Sequence, residues 1–172
     1  KDILIIGDSY SEDLVNAVFE GGLNNDMEFS SFYISSACGV LFVIEKKDRE
    51  DAMVDCQSDR FSFTNNDLQI QMSLADEIWI ISSWRQRDTF YMAKSIENIK
   101  TVNKNITLFG TKYFGSPSSK WYNAADIDDM SAAIFDNSDI KRYSTILKIN
   151  DDLGNIAESL SVEFINTQHL IC

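Results

Sequence analysis

The chain has 172 residues, 44% of them hydrophobic and 12% aromatic, which suits one compact domain with a full core rather than two. Its formal net charge is −12, from 15 basic and 27 acidic residues, and this disfavours nucleic acid and anionic membrane surfaces as partners. No apolar run approaches the roughly 20 residues that span a bilayer.

No signal-peptide pattern is visible and the first residue is not Met, so the sequence reads as an excised or processed piece. The cations are scattered. The one dense stretch, Glu45-Lys46-Lys47-Asp48-Arg49-Glu50-Asp51, is mixed in sign. A single Pro, Pro117, and the lack of repeats or low-complexity runs argue against an internal linker.

Asp2 to Ile6 is an apolar run without polar alternation, the pattern of a central strand covered on both faces. Gly7-Asp8-Ser9 interrupts it. A helix follows from about Ser11 to Phe19, with Leu14, Val15, Val18 and Phe19 inward and Gly21-Gly22 as its stop. Met27 to Ser35 is a second strand, rich in aromatics, and Ser36 to Val40 is irregular. Glu45 to Ser62 reads as polar loop, and Asn65 to Ala75 as a helix. Glu77 to Ser82 is the third strand. Thr89 to Ile99 is a helix with Tyr91, Met92, Ile96 and Ile99 at helical spacing. Asn105 to Gly110 is the fourth strand, and residues 118–135 hold helical pieces and acidic turns. Ile140 to Leu160 is a long helix, with a break at Gly154 allowed for, and Val162 to Thr167 is the fifth strand.

Strands alternating with helices predict a three-layer α/β/α sandwich around a mainly parallel sheet of about five strands. Ligands bind such sheets beyond the carboxyl ends of the strands. The residues that matter therefore follow each strand: Gly7 to Ser9, Ser36 to Gly39, Ser82 to Arg85, Gly110 to Lys112, and those after 167.

Ser9 admits two readings. Ser9-Tyr10-Ser11-Glu12 has the S-x-x-E form of a capping box, in which Ser9 merely caps the helix. Alternatively, Ser9 is a nucleophile, since a helix N-terminus offers N–H groups and positive dipole to developing negative charge. The cysteines, Cys38, Cys56 and Cys172, fit no zinc spacing, and His169 is the only histidine, so no metal centre is expected. Cys38 and Cys56 pair, leaving Cys172 over, or all three are buried thiols.

The stretch Ile3-Leu4-Ile5-Ile6-Gly7-Asp8-Ser9 resembles the first block of the SGNH (GDSL-like) hydrolases. Ser36-Ala37-Cys38-Gly39, Cys56, the Trp-containing Ile80 to Arg85, and the closing Val162 to Cys172 resemble one branch of it. That branch is the SGNH domain fused to acyltransferase family 3 membrane proteins, which O-acetylate bacterial surface polysaccharides. The resemblance runs in order along nearly the whole chain. It implies an SGNH hydrolase or flavodoxin-like sandwich, Ser9 as nucleophile, the Ser9 and Gly39 N–H groups as oxyanion donors, and a disulfide between Cys38 and Cys56. Trp84 stands where the family places an Asn donor; its other reading is a core aromatic. Arg85 is placed to bind an anionic sugar or leaving group; its other reading is a solvated charge. The family's Asp-x-x-His is missing: Asn166 lies three residues before His169, so His169 is not expected to be the base. The resemblance puts that motif beyond Cys172.

These features predict serine-dependent acyl-ester chemistry on carbohydrate, an O-acetyltransferase or acetylesterase, with no cofactor. The implied partners are a polysaccharide or oligosaccharide acceptor and an acetyl donor delivered through a fused membrane domain. The implied location is periplasmic or extracellular-facing. A non-catalytic carbohydrate-binding or interaction domain is the alternative, with Trp84, Tyr113-Phe114 and Trp121-Tyr122 as stacking aromatics. A nucleotide or flavin binder is third, and the absence of a glycine-rich phosphate loop weighs against it.

Overall fold

The computed structural model describes residues 1–22, 26–35, 38, 63–112 and 137–170. Strand β1 (Asp2–Gly7) leads into helix α1 (Ser9–Glu20), then β2 (Glu28–Tyr33), α2 (Asn66–Leu74), β3 (Glu77–Ile81), α3 (Gln86–Lys100), β4 (Ile106–Phe109), α4 (Asn137–Ser159), β5 (Glu163–Ile165) and a 3-10 turn at Thr167–Leu170. The five strands are all parallel, in the order β2-β1-β3-β4-β5. This is the expected α/β/α sandwich, with the strand order of flavodoxin-like sheets. The polar Glu45–Ser62 stretch and the pieces at 118–135, with Tyr113-Phe114 and Trp121-Tyr122, lie outside the described residues.

Strand alternation separates two cores. Leu4, Ile6, Ile78, Ile80, Ile106 and Leu108 face one side of the sheet and meet Leu68 and Met72 of α2, Met92, Ile96 and Ile99 of α3, and Ile149, Leu153 and Ala157 of α4. Ile3, Ile5, Ile81 and Phe109 face the other, where Leu14 and Val15 of α1 pack with Phe29 and Trp79. The rings of Phe29, Trp79 and Phe109 run across that face in tilted contacts 5.7 and 5.2 Å apart. Phe19, expected inward on α1, is 51% exposed, with its ring against that of Phe29. Among the described residues no helix is long and apolar enough to cross a membrane.

Helices α3 and α4 differ from expectation for local reasons. Helix α3 begins three residues early because Asp88 folds back onto the chain entering it: its Oδ2 accepts from the Arg85 N–H at 2.7 Å, and the Asp88 N–H donates to the Arg85 carbonyl at 2.9 Å. Helix α4 runs unbroken through Gly154. There the Phe164 ring of β5 packs so close that a Cβ would sit 3.3 Å from two of its carbons. Glycine serves close approach here rather than a break.

At the amino ends of the strands Glu77 is a polar hub. It accepts from Trp79 Nε1 at 2.8 Å and Thr107 Oγ1 at 2.6 Å, and it pairs with Lys1. Burial alone would raise its carboxyl, but the bonds from Lys1, Thr107 and Trp79 outweigh it and hold the group below its ordinary value of 4.5. A depressed carboxyl stabilises the fold above the unfolded value, and that contribution is lost as pH falls through the folded value. Glu77→Gln is therefore expected to cost about 1 kcal/mol near neutrality and to flatten the acid limb of a stability-versus-pH curve; an unchanged acid limb would remove Glu77 from the acid response.

Gly7 closes β1 against β3, where a Cβ would lie 1.8 Å from the Ile81 carbonyl oxygen. Gly7→Ala should lower stability by about 3 kcal/mol or more. Gly22 sits at φ +66 with open space around it, so Gly22→Ala should cost only about 1–2 kcal/mol. Urea unfolding of the two variants checks the order.

Candidate active site

The carboxyl end of β1 is organised by Asp8, which is only 1% exposed. Asp8 occupies the N-cap of α1 in an extended conformation, and its Oδ1 accepts from the Tyr10 N–H at 3.0 Å. Its carbonyl accepts from the Ser11 N–H at 2.9 Å and the Ser11 hydroxyl at 2.6 Å. Its Oδ2 accepts from Ser82 Oγ at 2.8 Å and the Ser83 N–H at 2.9 Å, so one side chain ties the end of β1 to the end of β3. The S-x-x-E reading of Ser9 as the cap is corrected: the helix starts at Ser9, one residue earlier than that pattern puts it, and Asp8 is its cap.

Ser9 thus becomes the first helical residue and is exposed. The Tyr10 and Ser11 N–H groups are satisfied, whereas among the described residues nothing accepts from the Ser9 N–H and nothing bonds to its hydroxyl. An exposed hydroxyl, an open N–H and a helix N-terminus meet at one point beyond a buried parallel strand. That combination can stabilise negative charge forming at an atom held by Ser9.

The neighbouring strand ends close around this point. After β2, the Ile34 N–H donates to the Gly7 carbonyl at 2.7 Å, and the Cys38 N–H donates to the Ser35 carbonyl at 2.8 Å. Cys38 is buried and disulfide-bonded; its partner lies outside the described residues, as do Cys56 and Cys172. Gly39 also falls outside them. Beyond β4, Lys112 Nζ stands 5.1 Å from the centre of the Tyr10 ring and 3.1 Å from Asp13 Oδ2. Asp13 shares a face of α1 with Ser9 at the i, i+4 spacing, so Lys112 brings a positive charge to the Ser9 side of the helix.

Trp84 does not serve as the expected donor. It is 2% exposed, and its Nε1–H donates to the Phe109 carbonyl at 2.7 Å, so the indole ties β3 to β4 inside the core. Arg85 is exposed at the N-cap of α3. His169 lies on the exposed side of the 3-10 turn after β5, its N–H donating to the Asn166 carbonyl at 3.1 Å. Asn166 is held as an amide: its Oδ1 accepts from Asn150 Nδ2 at 3.1 Å and from the Gln168 N–H at 3.2 Å. Asn150, buried on α4, also exchanges two bonds with the Thr111 backbone at 2.8 and 2.9 Å. Sequence reasoning missed Asn150 and Asp8 as the struts of the site. An Asp before a helical pattern was the available signal for the second; nothing local marked the first.

Comparison with protein-family models returns no match, and comparison with curated proteins returns none. Among solved structures the fold is similar to the crystal structure of a catalytic mutant of Axe2, an acetylxylan esterase from Geobacillus stearothermophilus. The likeness covers 98% of this chain and 77% of that one, at 13% sequence identity and a TM-score of 0.52. At this identity the shared property is the fold.

Replacing Trp84 by Phe should remove the bond to Phe109 and leave a buried carbonyl unpaired, costing about 1–3 kcal/mol in denaturant unfolding. Any ester turnover per folded molecule should stay within a few-fold of the parent. A selective loss of turnover at unchanged stability would restore the indole as a donor to substrate.

Proposed function

We propose that this chain performs serine-dependent acyl-ester chemistry on a carbohydrate, with Ser9 as the nucleophile. The observation that carries the reading is the division of labour at the end of β1. Asp8 takes over the capping that would otherwise explain a serine there, and Ser9 keeps an exposed hydroxyl beside an open N–H at a helix N-terminus. The likeness of fold to an acetylxylan esterase supports the ester and the sugar.

In the proposed reaction Ser9 Oγ attacks the ester carbonyl and its proton passes to a base. Negative charge collects on the carbonyl oxygen near the Ser9 N–H, with the Gly39 N–H as the second donor implied by resemblance. The sugar oxygen leaves with the proton, and the acyl group remains on Ser9. Water then releases it as the acid, in an esterase, or a second sugar hydroxyl takes it, in a transferase. Among the described residues nothing bonds to Ser9 Oγ as a base, and the resemblance to SGNH domains implies an Asp-x-x-His as its source. The same resemblance supports the narrower version, O-acetylation of a bacterial surface polysaccharide at an extracytoplasmic face, with a fused membrane domain as acyl donor.

Treatment with a serine-directed fluorophosphonate, read by intact-mass spectrometry without reduction, tests the reading. One adduct is expected on the parent chain and none on Ser9→Ala. Hydrolysis of acetylated xylo-oligosaccharide should fall by about a thousandfold or more in the same variant. A parent protein that takes no adduct and cleaves no acetyl ester, while still binding oligosaccharide, would replace this reading by a carbohydrate-binding domain.

A further inference from the structure

The sheet ends on one side with β2, and its bonds to β1 show which of its groups look outward. The Glu28 N–H donates to the Lys1 carbonyl at 3.0 Å, and the Ile34 N–H to the Gly7 carbonyl at 2.7 Å. A residue in a parallel pair turns its N–H and C=O to the same side, and that side alternates along the strand. Glu28, Ser30, Phe32 and Ile34 therefore serve β1, and Phe29, Ser31 and Tyr33 present their backbone groups to the open edge. The register with β1 runs through six residues without a bulge. Lysine, proline and bulges are the usual protections of an edge, and Glu28–Tyr33 has none of them. Ser30 and Ser31 point to opposite faces, yet both are exposed. The other edge of the sheet is blunted: β5 has three residues and begins with Glu163.

Apolar surface flanks this edge on both faces. On the α1 side Tyr33 and Phe19 are each half exposed, and the Phe19 ring centre lies 5.9 Å from that of Phe29. On the α2 side Leu74 is 74% exposed and lines a recess of about 250 Å³ with Glu28, Phe29 and Ser30. Ile70, one turn earlier on the same helix face, is exposed too. These four are most of the six large hydrophobic side chains exposed among the described residues, so the apolar surface is concentrated at this edge. Each half-exposed aromatic offers about 100 Å². With Leu74, Ile70 and the two serines, each copy offers roughly 600 Å², so two copies reach the lower end of the range for specific interfaces, about 1,200–2,000 Å² in total.

We propose that β2 is a dimerisation edge, and that it pairs with β2 of a second copy of this chain, antiparallel across a two-fold axis normal to the sheet. The strand is complementary to itself in one register. With Ser31 on the axis opposite the partner's Ser31, Phe29 stands opposite the partner's Tyr33, and Tyr33 opposite the partner's Phe29. These are the residues whose backbone groups point outward, and each facing pair exchanges two N–H···O=C bonds. Both Phe–Tyr pairs are aromatic cross-strand contacts on the α1 face. Ser31 is small enough to meet its own copy. The one charge of the strand, Glu28, stays about 20 Å from the partner's Glu28, well beyond the screening length of about 8 Å. An unrelated strand would satisfy the backbone, but the aromatic matches come from this chain's own sequence. The pairing also closes: it uses the open edge of both copies and joins two five-stranded sheets into one.

Sedimentation equilibrium of the protein, from about 1 μM to about 1 mM, tests it. A monomer–dimer equilibrium that stops at the dimer is expected. It should strengthen as salt rises, because each copy carries −12 and screening removes their mutual repulsion. Amide hydrogen exchange at Phe29, Ser31 and Tyr33 should slow as the concentration is raised. Ser31→Lys sets two like charges face to face on the axis and should weaken dimerisation at least about tenfold, even though it lowers the net charge that opposes association. The Ser31 side chain is exposed and its N–H is not used by β1, so this variant should keep the parental circular dichroism. If it does not fold, Tyr33→Ala, which removes both aromatic pairs, carries the same test. A protein that stays monomeric throughout would overturn the proposal. So would a dimer that the variants leave unchanged, or one whose formation does not slow exchange at Phe29, Ser31 and Tyr33. Growth past the dimer would overturn it too, since a pairing that closes leaves no further edge.

Discussion

The buried carboxylate of Asp8 is the interaction on which the rest of the site depends. A carboxylate removed from water costs several kcal/mol unless donors replace the solvent. Tyr10, Ser82 and Ser83 supply three, one from the helix it caps and two from the neighbouring strand. Hydrogen bonds to a charged acceptor contribute about 1.5–3 kcal/mol each, enough to offset the burial. The arrangement is also geometric: the same group starts α1 and fixes the β3 end relative to β1. Ser9 is the next residue, so its position follows from that clamp. Gly7, with no room for a Cβ against Ile81, closes the clamp from the strand side.

A parallel sheet makes this economy available. Every strand delivers its following segment to the same edge, and in the order β2-β1-β3-β4-β5 the flanks of β1 are β2 and β3. Segments distant in sequence then become neighbours at that edge. Asp8 crosses from β1 to β3, Trp84 from β3 to β4, and Asn150 joins the end of β4 to the segment after β5. In each crossing the side chain also satisfies backbone groups at the end of the ladder: the Ser83 N–H, the Phe109 carbonyl, and the Thr111 N–H and carbonyl. The edge is thereby held rigid without extra secondary structure, which is what a reaction centre needs to hold its groups within a fraction of an ångström.

The fold was legible because its signals are periodic and redundant. Ile3 to Ile6 and Glu77 to Ile81 read as buried strands, and α1 and α3 showed helical spacing, all without help from distant residues. What stayed hidden depends on partners far along the chain. Ser9 and Asp8 are both good capping residues, and local pattern does not choose between them; Ser82 and Ser83, more than 70 residues away, do, because they give the Asp8 carboxylate a second set of donors. Trp84 was placed correctly after β3 but given the wrong partner, since the Phe109 carbonyl reaches it only through strand pairing. Gly154 looked like a break because a glycine in a helix carries no label saying which ring lies against it.

Charge placement on this molecule also bears on how it meets a ligand. The net charge of −12 sets the far field, and it repels any anionic glycan. At physiological ionic strength that field decays over about 8 Å. Within that distance individual pairs set the local potential: near the carboxyl ends of the strands Lys112 stands beside the Tyr10 ring and pairs with Asp13. At the amino ends of the strands Asp76, Glu77 and Glu163 line a surface recess together with Lys1 and Lys104, so charges of both signs meet there. Salt acts in two directions on such a molecule: it loosens exposed pairs such as Lys112 with Asp13, and it removes the long-range repulsion among the acidic groups. The two effects oppose one another, so the response of the fold to salt is smaller than either would give alone, because the screening that weakens an attractive pair is the same screening that relieves the excess of negative charge.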